Sequence, residues 1–378
     1  MRTEGGPGEG CRRLLIVALS ARALARSARR AGLRPIALDA FADLDLREAA
    51  ERCRRLPLTA EGRFAPRALR AAARSLAPPP MPLLYGSGFE RDAALLAELA
   101  AGRRLLGTAA ADLARAKDPF RFAAVCRRLG LPHPELRRTP PPDPAGWLEK
   151  RPGGAGGGHV RPAAAHRHHR DGYFQRRMPG VPVSALLLGD GRRARVLGFA
   201  RQWTAPGWGF RFAGVSLPLD LPGPQAARLA AAARAVAVAF RLRGLGSVDF
   251  LLAGRRFWLL ELNPRPTAAL EAWELACDVS LCRLHIAACR GRLAPRPRVL
   301  RAAASEIVFA PRALRMPEGF PWPSWARDRS PPGTRIAAGG PVCTVVATAA
   351  DARAARAQVR RRRAWMRARL LDPGRAAA

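Results

Sequence analysis

The chain is almost without lysine and asparagine. Among 65 lysines and arginines only Lys117 and Lys150 are lysine, and Asn263 is the single asparagine in 378 residues. Arginine replaces lysine on most solvated surfaces, but its planar guanidinium cannot replace a compact ammonium that meets a phosphate as a point charge. The residues that remain against this bias are therefore the first candidates for chemistry.

Long apolar runs and closely paired cysteines are also missing. No stretch approaches the roughly 20 apolar residues that a membrane helix needs, and the run at 14–19 is too short for the core of a secretion signal. The seven cysteines contain no CxxC pair, which argues against a zinc site and favours reduced thiols. We therefore expect a cytoplasmic protein with no membrane partner.

Positive charge is present in excess. Apolar residues make up 48% of the chain, as in globular proteins, and the formal net charge is +36. Such a charge is typical of proteins that bind nucleic acid, but the arginines are spread over every predicted element. Only residues 360–363 form a run, and a run in a helix most often marks a solvated face. A basic nucleic-acid-binding protein stays open as an alternative.

The first predicted unit, residues 1–110, alternates strands and helices. This pattern indicates a small parallel α/β domain. The first strand is expected at 14–19, and Ser20 is expected to cap a helix that Gly32 ends. The first strand-to-helix turn contains no glycine, which argues against a dinucleotide-binding domain.

Two further units are expected. Residues 111–295 predict a domain with lobes at about 111–175 and 176–295, and residues 296–378 predict a C-terminal module with a strand and a basic helix. The sequence HRHH at 166–169 could bind a metal, but an exposed linker is favoured.

A glycine-rich run follows a predicted strand that carries Lys150. Residues 153–158 read GGAGGG, and such a run lets backbone N–H groups wrap anionic oxygens without side-chain clashes. A flexible linker would have the same composition, so the adjacent lysine gives the run its weight. Lys117, near a helix start, can reach the same phosphates from another wall.

Polar side chains gather at one end of a predicted hairpin, VDFLLAGRRFWLLELNPR. Glu261, Asn263 and Arg265 are spaced by two and can share one face. If the loop spans residues 254–256, Asp249 lies opposite Glu261 on that face. A loop one residue shorter would send Asp249 to the other side.

This face has the ligands of a magnesium site. Two carboxylates and an amide oxygen suit Mg²⁺, and Arg265, one step further on, can hold a phosphate oxygen. The same face is expected to carry Phe257 and Leu259 further back, so that polar groups collect at one end only. The alternative is an ordinary polar solvent face.

In their order and spacing, these motifs resemble the ATP-grasp superfamily over about residues 110–290. The match consists of Lys117, then KRPGGAGGG, then D-F-x11-E-L-N-P-R. The detail is similar to the branch of predicted ATP-dependent carboligases related to biotin carboxylase. The resemblance implies an α/β (α+β) chain in which a parallel α/β domain precedes a two-lobed ATP-grasp domain and a small β-containing module.

The resemblance also implies how ATP would be held. Lys117 and Lys150 would contact its phosphates, and the glycine loop would close over them. The loop residues concerned are Gly153, Gly154, Gly156, Gly157 and Gly158. The segment YFQRRMPG would be the hinge between the lobes, where backbone from Arg176 to Met178 meets the adenine edge. Gln175 stands where many members have Glu.

Metal and catalytic roles are implied in the same way. Asp249, Glu261 and Asn263 would bind two Mg²⁺ ions, with Glu261 bridging them and Mn²⁺ as the alternative ion. The catalytic residues would be Glu261, Lys150 and Arg265, the last of which would stabilise charge on the transferred phosphoryl group. A small-molecule carboxylate would attack the γ-phosphate, and a nucleophilic co-substrate would then displace phosphate.

Alternatives remain within and beside this class. Carboxylation through carboxyphosphate is a second reaction, and a non-catalytic ATP-binding module is a second role, against which the intact acidic pair argues. The segment RQWTAPGWGFRFAG places Arg201, Trp203, Trp208 and Arg211 beside the site. These side chains could stack on a flat ring and pair with a carboxylate, or the tryptophans could pack in the core.

Overall fold

The computed structural model describes residues 12–164 and 170–371. The histidine-rich tract at 166–169 lies outside the described residues. In the described ranges no helix combines the length and the apolar character needed to span a bilayer. The six cysteines there are free thiols.

The N-terminal part contains a five-stranded parallel sheet in the order β3-β2-β1-β4-β5. Its elements are β1 (Arg13–Val17), α1 (Arg22–Arg30), β2 (Arg34–Asp39), α2 (Leu44–Ala49), β3 (Arg52–Arg55), α3 (Pro66–Leu76), β4 (Leu83–Tyr85), α4 (Ala93–Ala100) and β5 (Leu105–Leu106). Leu14 and Ile16 of β1 pack towards α1, whereas Leu15 and Val17 pack towards α3 and α4. Burial on both faces is what a parallel sheet requires, and the predicted parallel domain is confirmed.

Ser20 does not cap α1, so that prediction is wrong. The helix has Ala21 at its N-cap and no side-chain cap, and the Ser20 hydroxyl instead donates to Asp328 Oδ1 at 3.3 Å. Asp39 accepts from the Ala21 N–H at 3.3 Å. A carboxylate at the end of the neighbouring strand thus meets the start of the helix, and sequence spacing does not reveal such a partner.

A small antiparallel sheet in the order β6-β9-β7-β8 follows. The elements of this region are α5 (Ala110–Lys117), α6 (Pro119–Arg128), β6 (Leu136–Arg137), β7 (Trp147–Lys150), β8 (Arg161–Pro162) and β9 (Tyr173–Arg176). Lys117 is the last residue of α5, and the next residue, Asp118, caps α6 by accepting from the Phe120 N–H at 2.9 Å. The glycine run lies between β7 and β8.

An eight-stranded sheet in the order β14-β13-β10-β11-β12-β15-β19-β17 forms the largest layer. The remaining elements are β10 (Val181–Asp190), β11 (Ala194–Thr204), β12 (Phe212–Leu217), α7 (Gly223–Ala239), β13 (Arg243–Ala253), β14 (Arg256–Asn263), α8 (Leu270–Cys277), α9 (Leu281–Cys289), β15 (Ala302–Phe309), β16 (Leu314–Arg315), β17 (Ala326–Arg327), β18 (Arg335–Ile336), β19 (Pro341–Ala349) and α10 (Ala352–Leu371). Helix α7 covers one face, and α8 and α9 cover the other.

The sheet crosses one predicted domain boundary. Strands β15 and β19 belong to the unit expected at 296–378, yet they hydrogen-bond in series with β12. Helix α10 packs on the same two strands through Ala355, Val359 and Met366. The division of the chain into three units stays a prediction, and its last unit shares a continuous sheet with the second.

The β13–β14 hairpin places Asp249 opposite Glu261, as predicted, but by a different route. The loop has two residues because Ala253 pairs with Arg256, so the expected three-residue loop is wrong. An irregularity in β14 leaves Leu260 without a partner of its own. This β-bulge adds the residue that the shorter loop lacks and restores the pairing.

The bulge also reverses the face of the residues between it and the loop. Phe257 and Leu259 pack in the core beneath α7, where the Phe257 ring lies 5.8 Å from that of Phe250. The prediction that both share the face of Glu261 is therefore wrong. The sequence prediction assigned faces by strict alternation of side chains from Glu261. A bulge adds one residue to the strand, so every side chain beyond it faces the opposite side.

Candidate nucleotide and metal site

A cavity of about 750 Å³ lies between the small sheet and the eight-stranded sheet. Its lining includes these predicted site residues: Gly156, Gly157, Gln175, Arg176, Met178, Asp249, Glu261, Asn263 and Arg265. Lys117 and Gly153 line a neighbouring pocket of about 580 Å³. Lys150 ends β7, and Gly154 and Gly158 belong to the loop that follows it. The glycine loop, the hinge and the hairpin end thus meet at one cleft.

Asp249, Glu261, Asn263 and Lys117 form one hydrogen-bonded group. The Asn263 amide Nδ2 donates to Asp249 Oδ2 at 2.9 Å and to Glu261 Oε1 at 3.3 Å. Lys117 Nζ donates to Glu261 Oε2 at 2.8 Å and to Asn263 Oδ1 at 2.7 Å. The Lys117 side chain is only 4% exposed, whereas that of Glu261 is 42% exposed. The carboxylates therefore face the cleft while the lysine lies beneath them.

The charges in this group act strongly on one another. Burial, and next the charge of Glu261, raise the pKa of Asp249. Burial alone would raise the pKa of Glu261, but Lys117, and after it Lys150 and Asn263, together hold that pKa below its ordinary value. Burial lowers the pKa of Lys150, although Glu261 opposes this shift. Two carboxylates at such close range favour a cation between them.

The donor set fits a hard divalent cation. Glu261 Oε2 and Asn263 Oδ1 already hold the positive charge of Lys117 between them. No cluster of three or more His, Cys, Asp or Glu side chains suited to a metal occurs in residues 12–164 and 170–371. Mg²⁺ commonly takes one or two carboxylates and completes its shell with phosphate oxygens and water. The side chains present therefore suit Mg²⁺ that arrives with a nucleotide.

The glycine loop packs closely against the cleft walls. Gly157 has a φ of +72°, and a Cβ there would lie 2.0 Å from the Phe210 carbonyl oxygen. Gly153 has a φ of +65°, and a Cβ there would lie 2.5 Å from the Glu90 carbonyl oxygen. The Phe212 N–H also donates to the Gly156 carbonyl at 2.9 Å. Side chains at Gly153 or Gly157 would force the loop away from the cleft.

Residues 175–180, which were expected to form the hinge, connect the small sheet to the eight-stranded sheet. Gln175 is buried in β9, between Leu136 of β6 and Leu148 of β7, and lines the cavity. The Arg176 guanidinium lies 5.5 Å from the centre of the Trp147 ring. Residues 177–180 then lead into β10. The Arg176 side chain thus stacks on the small sheet, while the residue still contributes to the lining of the cavity.

Arg265 forms a buried ion pair that the sequence did not indicate. Its Nε and Nη2 atoms lie 2.6 and 2.5 Å from Glu90 Oε1, and Nη1 donates to the Pro266 carbonyl at 3.1 Å. The other oxygen of Glu90 accepts from the Gly88 N–H at 2.7 Å. The available signal was a glutamate just after the glycine turn that ends β4.

The aromatic segment at residues 201–214, which begins in the last part of β11, divides between sites. Trp203 lines the cavity, and Arg201 lines a second pocket beside it. Arg211 stacks over the Trp208 ring at 5.4 Å and donates to the Gly339 carbonyl, so this pair packs against the C-terminal part. Arg211 also lies beside Gly158 of the glycine loop. Gln202, which was not among the expected site residues, donates to Asp249 Oδ1 at 3.3 Å.

Known proteins share this architecture. Residues 116–269 match the family model of the ATP-grasp domain. The carbamoyl phosphate synthase large chain of Thermus thermophilus is 26% identical over a match that covers 49% of this chain and 20% of that protein. The present chain thus spans about a fifth of the length of this curated relative.

Solved structures extend the likeness over nearly the whole chain. A biotin carboxylase from Campylobacter jejuni has a TM-score of 0.69 at 16% identity and covers 91% of this chain and 89% of its own. An L-amino acid ligase from Bacillus licheniformis has a TM-score of 0.69 at 15% identity, with 92% and 96% covered. At these identities the likeness concerns the fold. The stretch that matches the ATP-grasp family model contains Lys117, Asp249, Glu261 and Asn263 of the cleft, and the solved structures share the fold around it.

Proposed function

We propose that this chain is an ATP- and magnesium-dependent ligase that activates a small-molecule carboxylate as an acyl phosphate. The acyl group then passes to a nucleophile, with C–N bond formation favoured over carboxylation. One observation carries the proposal: Lys117, Asp249, Glu261 and Asn263 meet at one point of the cleft, where four hydrogen bonds link them into one group. Such a group suits a magnesium-bound triphosphate.

Each wall of the cleft has a part in nucleotide binding. The hinge from Gln175 to Met178 would hold adenine, and the glycine loop would hold the phosphates together with Lys150. Lys117 would exchange its bonds to Glu261 and Asn263 for bonds to phosphate oxygens. Those two residues and Asp249 would hold Mg²⁺, as two ions, or Mn²⁺. The bound ions supply charge neutralisation for phosphoryl transfer.

The reaction has two steps in this proposal. An oxygen of the substrate carboxylate attacks the γ-phosphorus, the bond to the β–γ bridging oxygen breaks, and ADP leaves. Arg265, held in place by Glu90, would stabilise the charge on the transferred phosphoryl oxygens. The nucleophile next attacks the acyl carbon, and phosphate leaves with the electrons of the C–O bond and takes the amine proton. The glycine lid keeps water from the intermediate.

Carboxylation is the second candidate. Bicarbonate would enter the first step as the carboxylate and form carboxyphosphate. The likeness to biotin carboxylase supports this reaction, whereas the likeness to an L-amino acid ligase supports C–N ligation. A requirement for added bicarbonate distinguishes the two, because only carboxylation needs it.

The test follows ADP release from Mg-ATP in the presence of fractionated metabolite pools. Hydroxylamine is added in parallel, since it traps an acyl phosphate as a hydroxamate whose mass identifies the carboxylate. We expect Glu261→Gln to abolish ADP release by weakening metal binding, and Glu98→Gln, an exposed change outside the lining of the cleft, to retain it. Full ADP release by the Glu261 variant would overturn the site assignment.

A further inference from the structure

A second pocket of about 460 Å³ adjoins the nucleotide cleft at the ends of two strands. Its walls are the start of β10, the end of β11, Glu306 of β15, and α10. It shares Gln202, Trp203 and Thr204 with the cleft. Because side chains alternate along a strand, Gln202 and Trp203 point to opposite faces of the sheet. The pocket therefore wraps round the strand ends and meets both faces.

The charge of this pocket is strongly one-sided. A single carboxylate, that of Glu306, lines the pocket together with four guanidiniums. The four arginines are Arg201, Arg356, Arg360 and Arg363. Arg363 already uses that carboxylate, at 2.7 Å. The Nε atoms of Arg356 and Arg363 are buried without a hydrogen-bond partner among the described residues. The pocket thus holds more donors and more positive charge than the chain around it satisfies.

Two of the four arginines, Arg356 and Arg363, are partly buried and held in place, the second by its ion pair with Glu306. The Arg356 guanidinium stacks over the Trp203 ring at 4.8 Å. Burial, and then the like charges of Arg360 and Arg201, lower the pKa of Arg356. Like charges held together in a partly buried place are the usual mark of an anion site.

The pocket also lies within a small molecule's length of the metal ligands. Asp249 pairs with Ser184 of β10, and the adjacent Val183 pairs with Arg201 of β11. The Cα atoms of Asp249 and Arg201 are thus two strands apart, or about 10 Å at the usual strand spacing, and their side chains point to opposite faces of the sheet. Gln202, which donates to Asp249, lines both spaces. A ligand that passes round the strand ends beside Gln202 can therefore reach both.

We propose that this arginine pocket binds a doubly charged anionic group of the substrate, a phosphate or a pair of carboxylates, while the reactive end of the same molecule reaches the cleft. The inference rests on the proposed ligase function, because it names the class of substrate. A separate effector anion would use the same charges, so the test separates these two sources.

The first experiment measures anion binding by calorimetry at low salt. The protein is saturated with Mg²⁺ and a non-hydrolysable ATP analogue, so that the nucleotide site is filled, and is titrated with inorganic phosphate or with tricarballylate. We expect at least one probe to bind, and Arg356→Gln/Arg360→Gln to weaken its binding about tenfold, which corresponds to about 1.4 kcal/mol, because the variant removes two positive charges from the pocket. Arg201→Gln, an exposed change on another element, should act in the same direction.

Arg353 provides the matched control, because it is an exposed arginine of α10 outside the pocket. Arg353→Gln should keep wild-type affinity for the probe. The proposal is wrong if neither probe binds the wild-type protein. It is also wrong if Arg353→Gln weakens binding as much as the pocket variants do, because this result would indicate a diffuse basic surface of the kind that binds nucleic acid.

The second experiment separates the two proposals and the two sources. Affinity for the ATP analogue is measured on the same samples. If the wild-type protein does not bind the analogue, the ligase function is refuted. If it binds the analogue but neither anion probe, only the proposal for the arginine pocket is refuted. With the substrate found by ADP release, the pocket variants should raise its KM about tenfold and leave the KM for ATP unchanged. A probe that binds without competing with that substrate would mean an effector site and would overturn the substrate assignment.

Discussion

The buried pair of Glu90 and Arg265 allows a quantitative prediction. Their side chains are 3% and 8% exposed, and the closest nitrogen lies 2.5 Å from the carboxylate. Removing one partner of such a pair leaves a buried charge without compensation, which costs about 3–5 kcal/mol of unfolding free energy. For Glu90→Gln we expect about 3 kcal/mol, because the amide oxygen can still accept from Arg265. Arg265→Met should cost at least as much, since it leaves the carboxylate alone.

The double variant Glu90→Gln/Arg265→Met tests the coupling. It leaves neither ion, so its loss should be smaller than the sum of the single losses by about 2 kcal/mol. Urea unfolding followed by tryptophan fluorescence measures all four proteins. In the kinetic assay Glu90→Gln should lower kcat and leave the KM for ATP unchanged. The reason is that Glu90 positions Arg265 and does not itself contact the nucleotide at any step of the proposed reaction.

The pair also has a defined dependence on pH. Burial alone would raise the pKa of Glu90, but Arg265, and after it Lys117, hold that pKa below its ordinary value. A lowered carboxyl pKa contributes stability above the unfolded-state pKa, and this contribution is lost as the pH falls through the folded-state pKa. The advantage of the wild-type protein over Glu90→Gln should therefore shrink below about pH 4.

The control is a pair of similar geometry at the surface. Arg70 and Glu98 also approach to 2.7 Å, but both side chains are exposed, so Glu98→Gln should leave the unfolding midpoint unchanged. The reasoning fails if Glu90→Gln unfolds at the same urea concentration as the wild-type protein. Strict additivity in the double variant would refute it equally.

Three further changes probe other parts of the molecule. Lys150→Arg should weaken the binding of a fluorescent ATP analogue about tenfold, because a guanidinium fork does not replace an ammonium; unchanged affinity would contradict this. Burial raises the pKa of Asp39 to about 6, so its stabilising effect is full below the unfolded pKa and is lost as the pH rises through 6. Asp39→Asn should therefore lose less stability between pH 5 and 8 than the wild-type protein does, and equal losses in urea midpoint would count against the shift. Gly157→Ala should raise the KM for ATP and expose the loop to limited proteolysis, because its Cβ would meet the Phe210 carbonyl; a protected loop with unchanged KM would show that the contact yields.

Local patterns predicted most of the strands that position the site. The apolar run of β1 and the spacing of Glu261 and Asn263 by two depend on nearest neighbours, and both are present as expected. The bulge at Leu260 was not predictable in this way, because it depends on how β14 pairs with β13 and on which side chains the core beneath α7 accepts. The correct pairing of Asp249 was thus reached from a loop of the wrong length.

Residues distant in sequence were the part that reasoning from spacing missed. Glu90 lies 175 positions from Arg265, and Gln202 lies 47 positions from Asp249. A pattern search ranks residues by what stands beside them, so the only local sign of the positioning carboxylate was the glycine turn that precedes it. The composition gave a different kind of signal. The scarcity of lysine and asparagine pointed to Lys117, Lys150 and Asn263 without any assumption about their neighbours in the sequence.

The geometry gives this compositional signal a physical basis. Asn263 donates to both carboxylates and accepts from Lys117, whereas an aspartate in its place would offer no donor and would add a third negative charge. Lys117 Nζ reaches two oxygens from a nearly closed space, where a wider planar guanidinium would displace one of them. Lys150 is subject to a burial that lowers its pKa, whereas an arginine there would stay charged in the same place. Arginine and aspartate therefore cannot take these three places without changing the charge or the shape of the cleft, which is why the scarcity of lysine and asparagine indicated the site.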